Sequence, residues 1–146
     1  MKVTPCVSLT FNGACEAAFR YYEGLLGAKI ELILTWGKSP MAEQVPPAWR
    51  EKILFGRLAV GTMTIVAGDV LPDSYVRPSG FQLTLNVEGQ AQGETLFHAL
   101  AEQGTVRFPL QETFWASRYG QVTDRFGVPW EINCGRDQTA SDRTMG

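Results

Sequence analysis

In the first half of the chain, apolar residues recur first every second position, as in a β-strand, then every three or four positions, as in an α-helix, and then again as in strands. Residues 3–11 alternate as in a β-strand, and the Asn12-Gly13 pair ends this strand and supplies a helix N-cap. The following helix is predicted to end at Gly27. Its apolar residues recur every three or four positions and predict one buried stripe: Cys15, Ala18, Phe19, Tyr22, Leu25 and Leu26. Three strands are predicted next, over residues 29–36, 53–60 and 62–69.

The second half of the chain repeats this order of elements. After a loop around Pro72 to Ser79, a strand is predicted over residues 81–87 and a helix over residues 90–103, which Gly104 ends. Strands are then predicted over residues 105–110, 115–123 and 128–134. Gly13 and Gly89 lie 76 residues apart, and Gly27 and Gly104 lie 77 apart.

The two halves therefore predict an α+β fold built from a duplicated βαβββ module. We expect one domain over residues 1–135, with modules at about 3–69 and 80–134. A length of 146 residues is enough to bury a core without disulfides or a structural metal. Residues 136–146 form a polar tail that is predicted to be loose.

The last predicted hairpin carries a carboxylate, Glu131, in an otherwise apolar strand. Such a residue either faces water or points into a pocket, where it meets a metal or a substrate proton. If it were buried without a metal, desolvation would raise its pKa and suit it to act as a general base. Strand alternation places Trp130 and Ile132 on the face opposite Glu131. We hypothesise that Glu131 points into a cavity.

Composition and charge argue against a nucleic-acid-binding, a membrane-spanning or a secreted protein. The net charge is −2 and the 13 basic residues are scattered, which argues against a nucleic-acid partner. No segment approaches the roughly 20 apolar residues of a membrane helix, and the N-terminus lacks the features of a signal peptide. These observations predict a cytoplasmic protein without a membrane partner.

The three cysteines, Cys6, Cys15 and Cys134, form no CxxC pair. Their odd number and spacing argue against a disulfide framework and against a zinc knuckle. Each is predicted to be a reduced, buried thiol that packs like a small apolar residue.

The paired βαβββ plan resembles the vicinal oxygen chelate superfamily, which includes glyoxalase I, extradiol dioxygenases and bleomycin-resistance proteins. The match is to its PhnB-like branch, often labelled by an old similarity to demethylubiquinone methyltransferase. Four segments carry the resemblance: FNGACEAAFRYYEGLLG, VPPAWREKI, PSGFQLTLNV and LQETFWASRYGQVTDRFGVPWEINC. The resemblance implies a curled mixed sheet of the glyoxalase/bleomycin resistance/dioxygenase fold, and a homodimer.

The superfamily resemblance also implies a divalent metal held by strands one, four, five and eight. Glu131 matches the strand-eight ligand, and Gln82 stands at the strand-five position as a neutral, weak donor. Strand one offers Val7 or Cys6, with the 76-residue offset from Gln82 favouring Cys6. Strand four offers Ile65 or Val66, and neither can bind a metal. The predicted ligand set, Glu131 and Gln82 with Cys6 as a further candidate, is thus incomplete for a catalytic metal, and no other cofactor is predicted.

Six side chains are candidates to line the cavity: Trp36, Arg57, Gln82, Trp115, Arg118 and Glu131. An inward arginine would clamp a carboxylate or phosphonate, whereas an outward one would be solvated. The tryptophans would supply flat apolar walls, or else contacts in a dimer.

Two functions follow from this set of residues. The first is a glyoxalase-like enzyme in which Glu131 abstracts a proton from a small oxygenated substrate, helped by Gln82 alone or together with a loosely held divalent ion. The second is a metal-free protein that binds or sequesters a small molecule, as bleomycin-resistance proteins do. Methyl transfer has no support in the residues, because no glycine-rich strand-to-helix turn for a nucleotide-like cofactor is present.

Overall fold

The computed structural model describes residues 1–135, which fall into two compact units divided between Val76 and Arg77. The division lies inside the loop predicted around Pro72 to Ser79. The first unit contains β1 (Val7–Phe11), α1 (Cys15–Leu26), β2 (Lys29–Thr35), β3 (Ile53–Val60) and β4 (Met63–Asp69). The second contains β5 (Leu83–Val87), α2 (Gln90–Ala101), β6 (Thr105–Gln111), β7 (Ala116–Thr123) and β8 (Pro129–Gly135). The tail predicted to be loose, residues 136–146, lies outside the described residues.

Each unit folds its four strands into one mixed sheet with the same connections. The strand order is β1-β4-β3-β2 in the first sheet and β5-β8-β7-β6 in the second. In each sheet the first strand pairs in parallel with the last one, and the other neighbours are antiparallel. This shared topology confirms the duplicated βαβββ plan and its α+β class. No helix among residues 1–135 is long and apolar enough to cross a membrane.

The start of α1 differs from the prediction. The helix begins at Cys15, and Ala14 at its N-cap makes no side-chain capping bond, so the cap predicted at Asn12-Gly13 is wrong. Instead, Asp69 at the end of β4 accepts hydrogen bonds from the backbone N–H of Cys15 (3.0 Å) and of Ile53 (2.9 Å). Asp69 is 1% exposed, so one buried carboxylate joins α1, β3 and β4.

The end of α2 also differs from the prediction. The helix ends at Ala101, and the left-handed conformation falls on Gln103 (φ 61°) rather than on Gly104. Gly104 is needed for another reason: a Cβ there would lie 2.3 Å from the carbonyl oxygen of Thr123. This glycine therefore permits close packing of the chain against the end of β7.

Two of the three cysteines are buried, as predicted, but Cys6 is exposed, which contradicts the prediction for that residue. Cys6 lies one residue before β1, outside the strand that would have covered it. All three thiols are free. Burial raises the pKa of the Cys15 thiol, with a further contribution from Asp69, and burial also raises the pKa of Cys134.

In the second unit, α2 covers one face of the sheet. The buried helix residues Phe97 and Leu100 accompany buried sheet residues that alternate along β7 and β8: Val122, Trp130, Ile132 and Cys134. At Gly93 of α2 a Cβ would lie 2.1 Å from the Cys134 sulfur, so helix and strand pack closely. By alternation, the residues between these positions lie on the opposite face of the sheet.

The β7–β8 turn is built around the buried side chain of Asp124. One carboxylate oxygen accepts hydrogen bonds from the backbone N–H of Phe126 (2.8 Å) and of Val128 (3.0 Å). The other accepts a hydrogen bond from the indole N–H of Trp130 (2.9 Å), whose side chain is completely buried. Asp124 thereby sets the position at which β8 begins.

We predict that Asp124→Ala lowers the free energy of unfolding by about 3 kcal/mol or more, because it leaves several buried N–H groups without an acceptor. Chemical denaturation followed by circular dichroism measures the change. Asp73→Ala, at an exposed position in a short 3-10 helix, is the control and should change stability by less than about 0.5 kcal/mol. Equal stability of the two variants would contradict the role given to Asp124.

Candidate functional site

Glu131 lies on the face of the second sheet that α2 does not cover. Its strand neighbours Trp130 and Ile132 are fully buried on the helix side, whereas Glu131 is half-buried. It pairs with Thr84 of β5 on one side and with Gln121 of β7 on the other. We call this side of the β5–β8–β7–β6 sheet the Glu131 face, and its polar residues at these positions are Thr84, Asn86, Tyr119, Gln121, Glu131 and Asn133.

Both carboxylate oxygens of Glu131 accept hydrogen bonds from hydroxyl groups. The Thr84 hydroxyl donates to Oε1 at 2.5 Å, and the Tyr119 hydroxyl donates to Oε2 at 2.5 Å. Behind Tyr119, the Gln121 side-chain amide donates to the Tyr119 oxygen at 2.8 Å. These four side chains, drawn from three strands, form one connected cluster in which the charge of Glu131 has two O–H partners.

Burial raises the pKa of the Tyr119 hydroxyl above its usual value. The hydrogen bond to Glu131 and the negative charge of that carboxylate raise it further, whereas the hydrogen bond from Gln121 lowers it. Tyr119 therefore keeps its proton at neutral pH and remains a donor to Glu131.

Aromatic rings surround Tyr119 on this face. The Trp115 ring meets the Tyr119 ring at a centroid distance of 5.1 Å and an angle of 69°, and the Phe108 ring meets it at 5.6 Å and 68°. Trp115 is 46% exposed and Phe108 is 38% exposed, so both rings present apolar surface to solvent beside the polar cluster.

An asparagine pair continues the polar row beyond Glu131. Asn133, two residues further along β8, donates from its side-chain amide to the side-chain oxygen of Asn86 at 3.1 Å. The side-chain oxygen of Asn133 is itself buried and has no hydrogen-bond partner within the described chain. An unpaired buried acceptor is unusual in a folded protein, because leaving it without a hydrogen bond costs free energy.

The equivalent positions in the sheet of the first unit have different side chains. Ser8 pairs with Val66, and Val66 pairs with Arg57, in the same register as Thr84, Glu131 and Gln121. Val66 rather than Ile65 is thus the counterpart of Glu131, since Ile65 is buried on the α1 side. The duplicated position has a valine where the second unit has a carboxylate.

The other predicted site residues are distributed over several places. Gln82 lies just before β5, and the contact to Glu131 comes from Thr84, two residues later. Arg118 lies on the helix side of the second sheet, where its guanidinium pairs with Glu94 of α2 at 3.4 Å. The structure therefore brings Trp115 and Glu131 to a common neighbour, Tyr119, but places Arg118 on the opposite face from Glu131.

Two predicted lining residues belong to the first unit. The indole N–H of Trp36 donates to the backbone oxygen of Asp69 at 3.1 Å. Arg57 is exposed and its guanidinium carbon lies 5.7 Å from the centre of the Phe55 ring. A role of either residue in ligand binding stays a prediction.

The residues do not fit a catalytic metal of the kind that the superfamily implies. Among residues 1–135, no group of three or more His, Cys, Asp and Glu side chains lies close enough to share an ion. Glu131 already accepts from two hydroxyls, and its counterpart Val66 has no donor atom. The only histidine, His98, is exposed on the last turn of α2. The predicted set of Glu131, Gln82 and Cys6 thus lacks the three good protein ligands that a catalytic metal needs.

Three partners of Glu131 were not predicted from the sequence: Thr84, Tyr119 and Gln121. Thr84 follows from the parallel pairing of β5 with β8, and Gln121 and Tyr119 follow from the alternation of β7. The repeat indicates these pairings, but the register within them depends on the Asp124 turn, which the sequence pattern does not specify.

The fold and the site define a class of protein. The same fold occurs in a glyoxylase/bleomycin resistance protein/dioxygenase domain from Frankia (20% identity, 93% of this chain and 99% of that one, TM-score 0.61). The chain therefore has the vicinal oxygen chelate fold that the resemblance implied.

Within this class, the chain belongs to the PhnB-like family described as 3-demethylubiquinone-9 3-methyltransferase, whose family model matches residues 1–133. It is similar to protein YjdN of Escherichia coli K12, with 34% identity over 138 residues that cover 89% of this chain and 94% of that protein. It is also similar to the crystal structure of protein PA1353 from Pseudomonas aeruginosa (42% identity, 93% and 100% coverage, TM-score 0.80). A PhnB protein from Bacillus cereus shares the fold at 19% identity (91% and 100% coverage, TM-score 0.78).

Proposed function

We propose that the chain binds a small organic molecule on the Glu131 face without the help of a metal. The observation that carries this proposal is the contact between a polar cluster and exposed aromatic surface, with Tyr119 belonging to both. Small-molecule sites combine apolar and aromatic walls with a few well-placed polar groups, and this face offers both. The predicted cytoplasmic location and homodimer accompany the proposal as predictions from the sequence.

The polar residues would orient the ligand and the aromatic ones would supply most of the buried area. The hydroxyls of Thr84 and Tyr119 hold Glu131 in one position, so little side-chain entropy is lost when a ligand contacts the carboxylate. Trp115 and Phe108 each leave more than a third of their surface open, which gives a flat ligand room to stack.

We predict that Trp115→Ala weakens the binding of small aromatic fragments at least about tenfold, because it removes the larger exposed ring. Fragments that shift the backbone amide resonances of β7 and β8 in nitrogen-15 spectra identify the site and give the affinities. Val106→Ala removes exposed apolar surface on the helix side of the same sheet and should leave these affinities unchanged. Affinities that are equally strong in Trp115→Ala would contradict the proposal, as would a loss of binding after treatment with a chelator.

A second function, proton transfer, is favoured by the chain of hydrogen bonds from Gln121 through Tyr119 to Glu131. In this reaction Glu131 would take a proton from a carbon atom that carries a hydroxyl beside a carbonyl group. After that proton exchanges with water, Glu131 would deliver a proton to the neighbouring carbon while the hydroxyl proton passes to the former carbonyl oxygen. The two groups are thereby interconverted without a net change in oxidation state. Tyr119 and Thr84 would hold the carboxylate in place while it carries out both steps.

We predict that, if this second function is correct, the protein incorporates deuterium from D₂O into the hemithioacetal of methylglyoxal and glutathione. Glu131→Gln should then lower the rate by a factor of about 10² to 10⁴, the usual contribution of a general base. Glu94→Gln makes the same change on the other side of the sheet and should keep the wild-type rate. Fragment binding without exchange in the wild type would leave a binding protein and rule out this reaction for this substrate.

A further inference from the structure

On the Glu131 face both hydroxyl protons are donated to Glu131, whose carboxylate keeps acceptor sites for a ligand, while the amides of Gln121, Asn86 and Asn133 keep N–H groups. A hydroxyl group has one proton, and those of Thr84 and Tyr119 are both donated to Glu131. A carboxylate has about four lone-pair sites, so Glu131 can accept further hydrogen bonds beyond these two.

The charge of this face is negative. Glu131 is the charged member of the row that Thr84, Tyr119, Gln121 and Asn133 complete. Of the basic residues on the strands of this sheet, Arg118 pairs with Glu94 on the helix side. Arg107 belongs to the edge strand β6, which β7 separates from β8. An anion on the Glu131 row would therefore meet a carboxylate, while Arg118, the basic residue of the neighbouring strand β7, is engaged on the helix side.

The aromatic rings also favour a positively charged ligand. The faces of aromatic rings carry negative partial charge and attract ammonium and guanidinium groups within about 6 Å. Trp115 and Phe108 present such rings on both sides of Tyr119, whose hydroxyl contacts Glu131. A positively charged group held at Glu131 would thus be close to Tyr119, which both rings contact, as well as to a carboxylate.

We infer that the ligand of this face is a small organic cation, a protonated amine on an aromatic or apolar body, and that anionic compounds are rejected. The inference rests on the proposed function, because it names the class of molecule that the proposed site takes. This class of ligand differs from the carboxylate or phosphonate that an inward-pointing arginine would bind. An ammonium group supplies N–H donors that match the open acceptors, and its charge offsets that of Glu131.

Three probes with one phenyl ring test the charge preference: benzylamine, benzyl alcohol and benzoate. Nitrogen-15 spectra of the wild-type protein at neutral pH and low salt give the affinity of each probe for the Glu131 face. We expect benzylamine to bind about tenfold or more tightly than benzyl alcohol, since its hydrogen bonds to Glu131 are charge-assisted. Benzoate should bind more weakly than benzyl alcohol.

Glu131→Gln should bring the affinities of benzylamine and benzyl alcohol to within about twofold of each other, because the amide keeps the shape but loses the charge. Glu94→Gln is the matched control on the helix side and should keep the full difference. A second measurement needs no variant: added salt should weaken benzylamine binding and leave benzyl alcohol binding unchanged, since salt screens only charged pairs.

The outcomes separate the inference from the proposed function. If benzoate or benzyl alcohol binds this face as tightly as benzylamine, the charge preference is overturned while small-molecule binding stands. A preference for benzylamine that persists in Glu131→Gln, or that is insensitive to salt, overturns the assignment to Glu131. If none of the three probes shifts the resonances of this face at millimolar concentration, the proposed function fails and the inference fails with it.

Discussion

The geometry of the second unit depends on the buried carboxylate of Asp124. Its three hydrogen bonds to Phe126, Val128 and Trp130 hold the turn between β7 and β8 and determine where β8 begins. Because side chains alternate along a strand, a shift of one residue in β8 would move Glu131 to the helix side and Trp130 to solvent. The position of Glu131 opposite Thr84 and Gln121 is therefore a consequence of this turn. In the first unit Asp69 joins α1 to two strands in a comparable way, although it does so from the end of β4.

The duplication has kept the topology of the two units and changed their chemistry. The same row of the sheet carries Thr84, Glu131 and Gln121 in one unit and Ser8, Val66 and Arg57 in the other. Val66 stands at a ligand position that the superfamily resemblance implies, and its side chain cannot bind a metal. The second unit has a carboxylate held by two hydroxyls beside aromatic rings, and on this arrangement we base the proposal of an organic ligand.

The sequence predicts the elements better than their ends and partners. Within residues 1–135, hydrophobic periodicity identified the two helices and the eight strands, because burial on one face imposes a period on each element. It failed at Asn12-Gly13 and at Gly104, where the ends depend on residues distant in sequence: Asp69 caps α1, and Thr123 requires the glycine.

The site was predicted only in part for the same reason. Glu131 was identified because a lone carboxylate is unusual in an apolar strand, and Trp115 because a tryptophan near the cavity could form a flat apolar wall. Thr84 and Tyr119 are ordinary strand residues whose importance comes from cross-strand register, which no local pattern contains. The predicted role of Gln82 stays a prediction, whereas the contact with Glu131 comes from Thr84, which lies two residues or about 7 Å further along the strand.

The most direct test of the account is a titration of tyrosine absorbance at high pH. The difference between wild type and Tyr119→Phe isolates Tyr119 from the other three tyrosines. Its midpoint should lie above the usual value of about 10, because burial and the contact with Glu131 both raise the pKa of Tyr119. The same difference measured in a Glu131→Gln background should give a lower midpoint, since the charge is removed. A Tyr119 that titrates at the usual value, or at the same pH with and without the Glu131 charge, would contradict the central claim that this hydroxyl is bound to Glu131.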